Sequence, residues 1–287
     1  MSVQFLENID DLLTRLREVY RQLHQQPELS MQEHKTAERI EAELAHLGLE
    51  VQRIGGTGVV AILRNGTGPT VLARADTDAL PVEEQTGLDY ASQVDGAMHA
   101  CGHDMHVVTL LGALELLATN KDTWSGTYIG VFQPGEETAQ GAQALVDDGL
   151  VEKIPKPDVA LAQHVMPTEA GTIGTSAGPV LSAGDSLKIT VYGRGAHGSM
   201  PHNAIDPVVL ASSIVMRLQT IVSRETKPGE FAVVTVGALH AGSKSNIISD
   251  RAELLLNLRT YDTAVRKNIM AAIERIVRGE CQAAGSP

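Results

Sequence analysis

The stretch Gly96-Ala97-Met98-His99-Ala100-Cys101-Gly102-His103-Asp104-Met105-His106 holds three of the ten histidines and one of the two cysteines in 287 residues. Thiolate, imidazole and carboxylate side by side are the donor types of a transition-metal site. On a helix, Cys101 and His103 would point different ways. On a loop hinged at Gly102 both can turn toward one ion. Further along, Gln133-Pro134-Gly135-Glu136-Glu137 puts two carboxylates next to each other. One can ligate while the other exchanges a proton with water. That division suits metal-assisted hydrolysis, in which a cation acidifies water and polarises a carbonyl. A pair of ions would need a bridging ligand and would sit roughly 3.5–4 Å apart.

Each of these residues also has a plainer reading. Cys101 alone reads as a small buried hydrophobe, and an isolated Glu-Glu pair as solvated surface. His99 and His106 read equally as supports for a ligand or as structural hydrogen-bonders. Asp76 fits a turn, Asp78 a helix cap, and His197 and His202 ordinary loops. A thiol reading makes Cys101 a nucleophile with His103 or His164 as base. It lacks a nucleophile elbow around Cys101 and leaves the glutamates without a task. The zinc-deaminase signature is absent, as is the glycine-rich phosphate loop ending in Lys-Ser/Thr.

The elements that must position these groups follow from hydrophobic periodicity. Leu6, Ile9, Leu12, Leu13, Leu16, Val19, Tyr20 and Leu23 trace an amphipathic helix that Pro27 stops. Ser30-Met31-Gln32-Glu33 predicts a capping box for a second helix through Ala37, Ile40 and Leu44. Strands are expected at Gly58 to Leu63, Thr70 to Ala75, Thr127 to Phe132 and Asp158 to Gln163. Thr70 to Ala75 is nearly all apolar, as in a strand buried on both faces. Helices are expected at Val107 to Ala118 and about Ala139 to Asp148. Three strands thus end in Asp76 and Asp78, in Glu136 and Glu137, and in His164. In an open α/β sheet, ligands bind beyond the carboxyl ends of strands, so these groups and the Cys101 loop converge.

From about Gly184 the pattern changes to β-α-β-β-α. Leu187, Ile189 and Val191 alternate with polar residues, and Asp206-Pro207 opens a helix. Phe231 to Leu239 and Arg251 to Arg259 follow as strands, with Ala252, Leu254, Leu256 and Leu258 on one face. A last helix carries Val265, Ile269 and Ile273. This order is one strand short of the split β-α-β-β-α-β fold.

Composition narrows the class. With 43% hydrophobic and 20% charged residues the chain is globular, and 3% aromatics make its cores aliphatic. A net charge of -12 argues against nucleic acid as a partner. No run approaches membrane-spanning length, and the acidic start through Asp11 does not read as a signal peptide. Two distant cysteines fit a reduced, cytoplasmic protein.

Taken in order, these motifs resemble the M20 metallopeptidases, and within them the amidohydrolase branch of hippurate hydrolases, N-acyl-L-amino-acid amidohydrolases and plant auxin-conjugate hydrolases. The matching stretches are Arg74 to Pro81, Met98 to His106, Phe132 to Glu137, Gln163-His164 and Gly195 to His202, in the family's order. The resemblance covers nearly the whole chain. It implies an α/β fold: a zinc-peptidase-like mixed-sheet catalytic domain at 1–182 and an inserted, smaller α+β lid or dimerisation domain of ferredoxin-like order at 183–287.

The resemblance implies Cys101, His103, Glu137 and His164 as ligands of a divalent metal, two ions of Zn or Mn, with Cys101 bridging. It implies Glu136 as general base, Asp76 as the carboxylate that orients a ligand, and His197 as the stabiliser of the oxyanion, often in the partner subunit. Asn246 and His202 match substrate-holding positions. The expected reaction is hydrolysis of the amide bond of small N-acyl or aryl-acyl amino acids by a homodimer. Gly135 stands where relatives commonly have alanine, which is expected to loosen the Glu-Glu loop. In the family the chain then returns to the catalytic domain with closing sheet material and a last histidine ligand. That part is not found before Pro287, so a silent form that only dimerises or binds ligand is the alternative.

Overall fold

The computed structural model describes residues 9–287, so Leu6, expected on the first helix, lies outside the described residues. The chain divides into two compact units between Glu169 and Ala170.

In the first unit, α1 (Ile9–Gln25) and α2 (His34–Leu44) precede the strands β1 (Glu50–Ile54), β2 (Gly58–Asn65) and β3 (Thr70–Asp76). After a long loop come α3 (His103–Thr119), β4 (Gly126–Gln133), α4 (Gly141–Asp147), α5 (Leu150–Lys153) and β5 (Val159–Ala162). The five strands form one mixed sheet in the order β1-β2-β4-β3-β5. β2 is antiparallel to β1 and β4, whereas β3 is parallel to both β4 and β5. Alternation along β2 builds both faces: Val59 and Ala61 pack with Leu16, Val19, Ile40 and Leu114, while Val60 and Ile62 pack with Ile129 and Leu145.

Three expectations are corrected here. The hairpin strand β1 was not expected; its half-buried Glu-Val-Gln-Arg-Ile text gives little hydrophobic signal. β3 is half-buried from Thr70 to Arg74, not enclosed on both faces, because its neighbour β5 is exposed along its whole length. Ser30 and Glu33 form no capping box. The helix opens at His34, with Glu33 at the N-cap position but no side-chain cap bond.

In the second unit, β6 (Ala183–Tyr192), β8 (Ala232–Ala241) and β10 (Arg251–Thr260) form an antiparallel sheet in the order β6-β10-β8. α6 (Pro207–Thr220) and α7 (Thr263–Ala284) supply the rest of the core. Ala252, Leu254, Leu256 and Leu258 are buried together against Ile214, Ile269 and Ile273, as their alternation predicts. Asp206 caps α6 through the amides of Val208 and Val209. Two short strands, β7 (Ala196–His197) and β9 (Ile247–Ile248), pair beside this core.

Candidate metal centre

Strand register brings the acidic ends together. Asp76 at the end of β3 lies opposite Gln133 at the end of β4, and Arg74 lies opposite Ala162 near the end of β5. Glu136, Glu137 and His164 follow within a few residues of those ends. α3 begins at His103, four residues earlier than its apolar run suggests, so Cys101 is on the loop and His103 on the first turn. Gly102 joins them with φ 78°, and a Cβ there would sit 2.4 Å from Val165 Cγ2. Only glycine fits that combination of left-handed backbone and close contact.

The side chains then meet. Cys101 Sγ is 3.4 Å from His164 Nε2. His103 Nε2 is 3.9 Å from Glu137 Oε1 and 3.5 Å from Asp76 Oδ2. Within each of three sets, Cys101/His103/His164, Asp76/His103/His106 and His103/Glu136/Glu137, the donor atoms lie within 4.8 Å of one another. The tautomers suit ligation. His103 Nδ1–H donates to the main-chain oxygen of Asp78 at 2.9 Å, and His164 Nδ1–H to that of Val165 at 2.7 Å. Each ring therefore presents Nε2 to the cluster, an arrangement usual for metal-ligating histidines. His103 Nε2 and Glu137 Oε1 are both buried and have no hydrogen-bond partner among the described residues. Two such atoms facing each other are costly unless a cation joins them, so the donor set fits a metal.

The electrostatics agree. Burial works against charge on His103, yet Asp78, Asp76 and Glu137 together raise its pKa. This acidic cage favours a positive charge at its centre. Burial, then Glu137, pushes the Cys101 thiol up to about 11. A nucleophilic thiol needs the opposite shift, which weighs against the thiol reading. Burial opposes ionisation of Asp76, but the His106 hydrogen bond and Arg74 hold its carboxyl below the usual range. For Asp78, burial is likewise outweighed, by His103, Ser30 and the Glu137 amide, and its pKa falls to about 2.

His106 is fully engaged. Its Nδ1–H donates to Asp76 Oδ1 at 2.6 Å, and its Nε2 accepts the Val165 amide at 2.9 Å. Asp76 and His106 thus hold the chain beside His164. His99 is buried, with both ring nitrogens unpartnered among the described residues and its pKa pushed down by burial to about 4. It joins none of the three donor sets.

Gly135 has φ 56°, and a Cβ there would meet Met31 Sδ at 2.5 Å. This glycine fits the loop closely and does not loosen it, contrary to expectation. Sequence reasoning missed Asp78, which accepts from Ser30 Oγ at 2.6 Å and from the Glu137 amide at 3.0 Å. The only hint was its place two residues after Asp76.

In the second unit, the β7–β9 ladder sets His197 opposite Ile247, next to Asn246, whose main-chain oxygen accepts the Gly198 amide at 2.8 Å. His197 Nδ1 accepts the Ser199 amide at 3.2 Å, which leaves Nε2 as the protonated nitrogen. His202 is exposed on a turn at Pro201–Asn203.

Residues 72–282 match Peptidase family M20/M25/M40. The chain belongs to this family. It is 42% identical over 265 residues to an N-acetyl-L-cysteine deacetylase of Bacillus subtilis, covering 91% of this chain and 63% of that protein. It is 39% identical to a hippurate hydrolase of Campylobacter jejuni, covering 98% and 73%. A dinuclear metal-binding M20 peptidase of Bacillus subtilis superimposes with a TM-score of 0.80 at 33% identity, over 96% of this chain and 72% of that one. The chain thus spans about two thirds to three quarters of the length of these relatives.

Proposed function

We propose that this M20 protein hydrolyses the amide bond of small N-acyl or aryl-acyl amino acids, with a divalent metal held by Cys101, His103, Glu137 and His164. The facing, unpartnered pair of His103 Nε2 and Glu137 Oε1 carries the reading. A bound divalent cation supplies polarisation of the amide carbonyl and acidification of water. Glu136, exposed beside Glu137, accepts the proton of that water and returns it to the leaving amine nitrogen. Asp76 acts through His106 on the position of His164. His197 offers its Nε2–H to the developing oxyanion, and Asn246 and His202 hold the substrate. The thiolate favours Zn, with Mn as the rival, and two ions bridged by Cys101 match the dinuclear relative.

A homodimer through the second unit is supported by the edge position of β8, with Leu239 39% exposed, and by Val209 and Met216 on α6, 66% and 71% exposed. Both cysteines are free, and one is a proposed ligand that must stay reduced, which favours the cytoplasm.

The test is metal content by elemental analysis, paired with turnover of hippurate and N-acetyl amino acids with and without added Zn or Mn. Bound metal and chelator-sensitive release of free amino acid are expected. No metal uptake and no turnover after addition would leave only a ligand-binding or dimerising role.

A further inference from the structure

We infer that Glu33 is a positioning residue for the Glu136–Glu137 loop, the far half of a clamp completed by Ser30 and Asp78. Glu33 is 0% exposed, a rare setting for a glutamate. Its Oε1 accepts the amide of Gly135 at 2.8 Å and that of Met31 at 2.9 Å, and its Oε2 accepts from Thr57 Oγ1 at 2.7 Å. On the other side of Glu136, the Glu137 amide donates to Asp78 Oδ2 at 3.0 Å, and Ser30 Oγ donates to the same oxygen at 2.6 Å. The amides on either side of Glu136 are therefore each fixed by a buried carboxyl, and both carboxyls trace to one segment, Ser30 to Glu33. That segment is itself tied down where β3 ends, through the Leu29–Ala79 bridge and the Ala79 amide on the Glu28 oxygen at 2.8 Å. Met31 spends a left-handed φ of 64° in bringing Glu33 round to Gly135.

The geometry has a chemical consequence. Glu136 is exposed and has no side-chain partner of its own to aim it, so its direction is inherited from the backbone of its neighbours. An error of about 1 Å in a reacting group can cost about 100-fold in rate. Glu33 sets the Gly135 end, and Ser30 with Asp78 sets the Glu137 end. This inference rests on the proposed hydrolase reading for its catalytic part only; the clamp itself is a statement about this chain without metal.

The experiment uses the full chain with Glu33→Ala, Glu33→Gln and Ser30→Ala. Amide hydrogen exchange on metal-free protein is the first readout. In Glu33→Ala the Gly135 amide should exchange at least about tenfold faster, while Ile129 inside β4 keeps its protection. In Ser30→Ala the effect should move to the Glu137 amide. Glu33→Gln should restore most of the protection at Gly135, since one acceptor oxygen remains and the Thr57 hydroxyl can reverse to face the new amide. For turnover of an N-acyl amino acid, Glu33→Ala should lose about 10–100-fold in kcat. KM should stay within about twofold, metal content should be unchanged, and Glu33→Gln should recover most of the loss.

Unchanged protection of Gly135 in Glu33→Ala overturns the clamp. So does loss that spreads equally through β4, or a kcat that falls only in step with bound metal. If Glu33→Ala does not fold, Ser30→Ala decides by the Glu137 amide and the same kcat and KM comparison. If the wild-type chain turns over no substrate, the hydrolase reading falls, and exchange alone supports or overturns the clamp.

Discussion

Glu136 and Glu137 differ in surroundings more than in chemistry. Glu137 is part-buried, and burial leads in raising its pKa, with one oxygen left facing His103 Nε2. Glu136 is exposed. The first is placed to share a cation and the second to exchange protons with water. Replacing Glu136 by Gln should therefore lower kcat by about 10²–10⁴-fold, the usual worth of a general base, while bound metal per chain stays at the wild-type value. Elemental analysis beside steady-state kinetics checks both halves; undiminished turnover would remove Glu136 from the proton path. Cys101 is the contrasting case. Its thiol is held up by burial and by Glu137, so it becomes a ligand only by giving up its proton to a cation.

At the scale of elements, much of the site depends on how α3 is entered. Its first turn carries His103, and the residue before it has φ 78° with no room for a Cβ beside Val165. Gly102→Ala should cost about 1–3 kcal/mol in stability from backbone strain alone, and the clash should add to it. Urea unfolding should show the loss, and metal affinity should fall with it; a midpoint within error of wild type would refute the strain. The same helix is anchored from behind by His24, whose Nδ1 is 2.6 Å from Asp104 Oδ2 and whose Nε2 is 3.3 Å from Glu84 Oε1. The Asp104 hydrogen bond leads in raising the pKa of His24 against burial. A raised folded-state pKa means that this contribution is complete below the unfolded value of about 6.5 and is lost as pH rises through the folded value. The stability gap between wild type and His24→Gln should be widest near pH 5.5 and narrow toward alkaline pH; a gap that widens with pH would refute the assignment.

These two devices show where sequence reasoning stops. The strand ends bearing Asp76, Glu136 and His164 were legible because a parallel sheet must collect them on one edge, and the register does so. The tasks of Ser30, Glu33 and Asp78 were not. Ser-x-x-Glu ahead of a helix has the same text whether it caps that helix or reaches across to Asp78 and Gly135. Only the tertiary fold decides between those partners. His24 likewise sits on an amphipathic helix where an exposed or packing histidine reads the same as one bridging two carboxyls.

At the scale of the whole molecule, the proposed chemistry draws on both units. The donor set lies on elements before Glu169, while His197 belongs to β7 in the unit that begins at Ala170. His197→Ala should thus leave metal content unchanged and lower kcat, because it removes a hydrogen-bond donor to the oxyanion and no ligand. The proposed dimer makes a sharper test, since His197 could serve its own chain or its partner's. Equal amounts of Glu136→Gln and His197→Ala chains, each nearly inactive, can be mixed, unfolded and refolded together. If His197 acts across the dimer, each mixed dimer contains one site with Glu136 from one chain and His197 from the other, and random pairing restores about a quarter of wild-type turnover. If His197 acts within its own chain, every site keeps one defect and the mixture stays as inactive as its parts. Sedimentation of the mixture fixes the fraction of dimer. Full recovery of dimer without recovery of turnover would therefore assign His197 to its own chain and leave the second-unit interface with an assembly role alone.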